Sequence, residues 1–129
     1  MKANTVPSVG SNPTTNAGTC GIAANYGTAN TYAVVAGVLE WKDAGGTAFA
    51  KERRKDQELY ELLAARGVPE SQRTLLLDSA ATTRAILDAV KARLAAAPPG
   101  STFLFYYAGH GSKDPAGEVR LASYDASSS

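Results

Sequence analysis

The chain has 129 residues, enough for one domain that buries roughly two-thirds of its unfolded surface. Its 13 Lys and Arg against 12 Asp and Glu leave a net charge of +1, so no general electrostatic pull toward nucleic acid or an anionic membrane is expected. No apolar run reaches the ~20 residues of a membrane span, Lys2 is followed by no secretory core, and the lone Cys20 has no disulfide partner within the chain, so a cytoplasmic protein is expected.

Residues 1–30 are rich in Asn, Thr, Gly, Ser and Ala and show no hydrophobic period. Such a composition buries too little to offset its ordering entropy, which predicts a flexible N-terminal arm with Cys20 as an incidental thiol. Residues 31–129 are expected to form the folded domain. Thr31 to Leu39 is apolar and β-branched and reads as a buried strand, followed by a loop from Glu40 to Lys51 around Gly45-Gly46. From Arg53 to Arg66, Leu59, Leu62 and Leu63 recur at helical spacing, with Gly67 and Pro69 as stop signals. Arg73 to Leu77 reads as a second strand, closed by Asp78. Thr82 or Thr83 caps the next helix, in which Ile86, Leu87, Val90 and Leu94 form one stripe before Pro98-Pro99-Gly100 ends it. Thr102 to Ala108 has the composition of a strand buried on both faces, and Val119 to Ala122 reads as one more short extended piece.

Strands alternating with helical crossovers predict parallel pairing, right-handed connections and a doubly wound, three-layer α/β/α sandwich with a mainly parallel sheet. Ligands in such sheets bind beyond the carboxyl ends of the strands. The protein's only histidine stands there, in Gly109-His110-Gly111, directly after the third strand. A dinucleotide site is disfavoured, because the turn Glu40-Trp41-Lys42-Asp43 carries neither GxGxxG nor GxxxxGK[ST]. Without that turn, Asp78 after the second strand is a weak ribose-binding signal.

The series Arg54-Lys55-Asp56, Leu62-Leu63 with Arg66-Gly67-Val68-Pro69, Leu76-Leu77-Asp78, Ala81-Thr82-Thr83 with Ile86, and Phe105-Tyr106-Tyr107-Ala108-Gly109-His110-Gly111 resembles the N-terminal part of a bacterial caspase-like domain, the group that includes metacaspases. The resemblance covers roughly Tyr32 to Asp125. It implies a cysteine endopeptidase using a Cys–His dyad, with His110 as catalytic base and the Gly111 N–H as oxyanion donor. It implies a peptide or protein substrate, and no residue of the chain is read as a cofactor or metal ligand. In this family acidic side chains select Arg or Lys, and arginines select Asp, as the residue before the cleaved bond. Glu52, Arg53 and Arg54 leave that choice open, and Asp114, Glu118 and Asp125 are read as solvated loop carboxylates.

The chemistry suits a histidine. A thiol needs a base of near-neutral pKa to take its proton and later protonate the leaving amine, and fixed N–H donors stabilise the developing oxyanion. In caspases the cysteine follows the histidine by about 50 residues, whereas the 19 residues after His110 contain none. The expectation is therefore the histidine-bearing portion of a caspase-like peptidase, inactive alone. Its partner is the missing C-terminal part of the domain, self-association is expected through an open sheet edge, and nothing in the chain is expected to cover the His110 ring. The alternatives are a truncated, non-catalytic homologue acting as a binding or regulatory module, and an unrelated flavodoxin-like ligand-binding domain.

Overall fold

Thr31–Gly37 (β1) is apolar on both of its alternating faces, and Ala33, Val34, Val35 and Ala36 are fully buried. That burial follows from position: β1 is the middle strand of three, flanked by Arg73–Leu77 (β2) and Thr102–Ala108 (β3) in the order β2-β1-β3. Both pairings are parallel, with Thr31 to Gly37 opposite Thr102 to Ala108 and Ala33 to Gly37 opposite Arg73 to Leu77. Helices Lys55–Ala65 (α1) and Thr83–Ala96 (α2) connect the strands, giving a small α/β fold. The computed structural model describes residues 27–43 and 48–127. Of the expected N-terminal arm, residues 1–26 with Cys20 lie outside this range, and Thr28–Asn30 forms a 3₁₀ turn leading into β1.

Local chemistry sets the element ends. The Thr82 hydroxyl accepts the Ala85 N–H at 3.2 Å and caps α2. Gly67, at φ 95°, ends α1, and the Val68 N–H reaches back to the Leu63 carbonyl at 3.0 Å, the bond pattern of a left-handed glycine stop. Side chains alternate across a strand, and register partners share a face. The Gly37 position meets Asp56 of α1, and the Arg73 guanidinium lies 4.6 Å from the Tyr60 ring centroid, also on α1. Ile86 and Leu87 of α2 line a cleft of about 120 Å³ with Phe105 and Tyr107, whose register partners are Val34 and Ala36.

Three expectations need correcting. β1 ends at Gly37 rather than Leu39, because the chain there binds its neighbours one bond at a time: Val38 N–H to the Ala108 carbonyl at 2.8 Å, and Leu39 N–H to the Asp78 carboxylate at 2.9 Å. β3 is not buried on both faces, since Phe105 at its centre is 40% exposed. The helical stripes are only partly covered, leaving Leu62, Leu87 and Leu94 in solvent. The last two share a cause. Among the described residues only β1 has strands on both sides, so a helix stripe wide enough for a broader sheet overhangs a narrow one. The segment Val119–Leu121 (β5) is extended as expected, and its partner Gly111–Lys113 (β4) makes an antiparallel hairpin that polar residues gave no reason to foresee.

Candidate functional site

β3 delivers His110 to the carboxyl edge of the sheet. The backbone is tightly confined at Gly109, where a Cβ would lie 2.3 Å from the Tyr107 hydroxyl and 2.9 Å from the Val38 carbonyl. Glycine is required there for close approach. The His110 carbonyl accepts the Tyr107 hydroxyl at 2.9 Å and the Ala122 N–H at 3.0 Å. The same Tyr107 hydroxyl reaches the Ala122 carbonyl at 2.8 Å, and burial raises its pKa against the opposing effect of that bond, so it stays a neutral donor.

The imidazole is half-buried and lies in an aromatic cluster. Its centroid is 4.5 Å from the Trp41 ring at an interplanar angle of 27°, and 4.5 Å from Phe49 at 44°. Trp41 and Phe49 are 6.0 Å apart. Those three distances place the two rings roughly a right angle apart as seen from the imidazole, so they cover it from one side rather than sandwich it. The expectation of an uncovered ring is therefore wrong: the loop after β1 folds back over it. Trp41 stood at the same sheet edge in the sequence, but nothing in its spacing linked it to His110.

Gly111 opens β4. The Ala122 N–H to His110 carbonyl and Asp114 N–H to Glu118 carbonyl bonds mark the hydrogen-bonded pairs of the hairpin. Alternation then makes Gly111 and Leu121 a non-hydrogen-bonded pair, which turns the Gly111 N–H away from β5. Gly111 is exposed. No family model, curated protein or solved structure matches the chain.

Across the end of β1 lies an ionic cluster centred on Arg54. Its guanidinium grips Asp56 through two bonds of 2.8 Å, donates to Asp78 at 2.7 Å and reaches the Gly37 carbonyl at 3.3 Å. Asp56 is 1% exposed, and a Cβ on Gly37 would fall 1.5 Å from its carboxylate oxygen, so the glycine makes room for the buried acid. The hydrogen bonds Arg54 donates, to Asp56 first and then to Asp78, raise its pKa further and hold the group charged against desolvation. For Asp78, burial alone would raise the pKa, but Arg54, the Leu39 N–H and Lys51 outweigh it and keep the carboxyl below its ordinary range. Lys51 bridges Glu40 at 2.8 Å and Asp78 at 3.4 Å. Arg54 is thus committed within the chain rather than presented to a ligand. Glu52 and Arg53 are exposed in the preceding loop, with Arg53 at φ 57°.

Two carboxylates near the histidine motif are not merely solvated. Asp114 accepts the Ala116 and Glu118 N–H groups at 2.9 Å and pairs with Arg120 at 2.7 Å, which lowers its pKa and organises the hairpin turn. Asp125 accepts the Thr83 N–H at 2.9 Å at the start of α2, and that bond foremost lowers its pKa. A second cleft, of about 280 Å³, is lined by Lys51, Arg53, Arg54, Gln57, Glu58 and Glu61, a set of mixed charge with one more cation than carboxylates. Among the described residues, no group of three or more His, Cys, Asp or Glu is placed to hold a metal ion, and no helix is long and apolar enough to cross a membrane.

Proposed function

We propose that the chain is the histidine-bearing portion of a caspase-like cysteine endopeptidase, with its two helices as outer layers of a three-layer α/β/α sandwich. The carrying observation is the placement of His110 directly beyond β3, at the carboxyl edge of a parallel sheet. Among the described residues β3 pairs only with β1, so its other edge has room for a further strand. A cysteine at the end of that strand would meet the imidazole. His110 takes the thiol proton, the thiolate attacks the peptide carbonyl, and the imidazolium returns the proton to the leaving amine. The outward-turned Gly111 N–H donates to the oxyanion, a contribution of about 3 kcal/mol to lowering the barrier. The substrate is a peptide or protein, and the partner is the segment that supplies the thiol. With Arg54 committed to Asp56 and Asp78, it is a poor candidate for receiving an acidic substrate side chain.

The 129-residue chain, assayed on Arg-, Lys- and Asp-directed peptides with a thiol-reactive probe alongside, is expected to be inactive. The coding sequence beyond Ser129 is expected to carry a strand ending in cysteine, and in the longer protein His110→Ala should abolish cleavage. A continuation without such a cysteine, or an active His110→Ala variant, removes the proposal.

A further inference from the structure

We propose that Trp41 is a positioning residue for His110, its indole fixing the orientation of the imidazole. The role rests on reading His110 as the catalytic base. Confinement at Gly109 and the bonds to the His110 carbonyl fix the main chain of the histidine but not the rotamer of its imidazole. An ordered base therefore needs restraint from elsewhere, and the structure supplies a closed circuit of contacts. The Ala122 N–H donates to the His110 carbonyl at 3.0 Å. The Ala122 carbonyl accepts the Trp41 indole N–H at 3.1 Å. The indole in turn stacks on the His110 ring at 4.5 Å and 27°. Ala122 thus helps hold the backbone of the histidine, together with the Tyr107 hydroxyl, and also anchors the aromatic plane against which its side chain rests. The Lys42 N–H to Tyr124 carbonyl bond, 3.0 Å, fixes the loop carrying Trp41 to the same strand exit. Phe49 meets the imidazole at 44° and is itself partly exposed, so it borders the ring without stacking on it. General acid–base catalysis depends on a base held in line with the proton it transfers, and small misplacements of the reacting groups carry large rate losses.

The test uses the fact that the protein has one histidine, so its ring gives one set of resonances. With carbon-13-labelled histidine, relaxation of the ring C–H bond in the wild-type chain should give an order parameter near the rigid value of about 0.85, with cross-relaxation to Trp41. In Trp41→Leu it should fall below about 0.6 while cooperative melting is retained. Trp41→Phe, which keeps a stacking face, should recover most of the order. A mobile ring in the wild type overturns the proposal whatever the variants do. So does a Trp41→Leu ring that stays rigid in a folded chain. Failure of the peptidase reading, by an active His110→Ala variant or a missing cysteine, leaves these relaxation values unmoved, so the two failures are distinguishable.

Discussion

At the scale of single residues, Arg54 carries the largest local consequence. Removing it strands Asp56, an almost fully buried carboxylate, without its bidentate partner. Arg54→Ala should cost about 3–5 kcal/mol in denaturant unfolding, the usual penalty for an uncompensated buried charge. Arg54→Lys should recover little, because a single ammonium cannot serve Asp56 through two parallel bonds and Asp78 as well. Asp78 supplies the pH dependence. Its folded pKa lies below the unfolded value of about 3.9, so its contribution is complete above that pH and is lost as pH falls through the folded value. The stability difference between wild type and Asp78→Asn should therefore be full at neutral pH and vanish in strong acid, as followed by urea melts at stepped pH. Gly109→Ala drives a methyl group toward the Tyr107 hydroxyl and the Val38 carbonyl, and should cost about 1–3 kcal/mol by overpacking. None of these ion pairs was legible beforehand. Arg54, Asp56 and Asp78 each carried a signal of position, but the bonds joining them cross between the ends of β1, β2 and α1, a relation that one-dimensional spacing does not encode.

Among the elements, those with a strong period or a cap were legible: the three parallel strands, the two helices, a threonine cap at Thr82 or Thr83 and the Gly67 stop. What escaped were features fixed by neighbours rather than by the segment itself. Phe105 reads as core because its strand is aromatic, yet it is exposed because β3 is an edge among the described residues. β4 is three polar residues held by pairing with β5, and no propensity marks it. The same edge has a measurable outcome. β3 contains no Lys, Glu or Pro to discourage pairing with another chain, and exposed Leu87 and Phe105 lie along it. The chain should self-associate with rising concentration in sedimentation runs, and Phe105→Lys should restore the monomer. A wild-type chain that stays monomeric across the range contradicts this.

For the molecule as a whole, the core is small. Eight apolar residues are buried among the described ones, three of them alanines, and most of them lie on β1 and its exit. The stability of the 129-residue chain is therefore expected at or below about 5 kcal/mol, the lower end for natural domains, as measured by urea unfolding. The centrality of β1 also bears on the order of events during synthesis. β1 leaves the ribosome before both of its partners, and Thr31 must wait for Thr102 to be made. At roughly 5–20 residues per second, that leaves the β3 side of β1, the most buried of the described strands, without its partner for several seconds. Parallel pairing cannot be replaced by a local hairpin in the interval, since each partner returns only after a helical crossover. The nascent chain thus passes through a stage in which its future centre is its stickiest surface, and a holding chaperone at that stage should raise the yield of folded protein without altering its final stability.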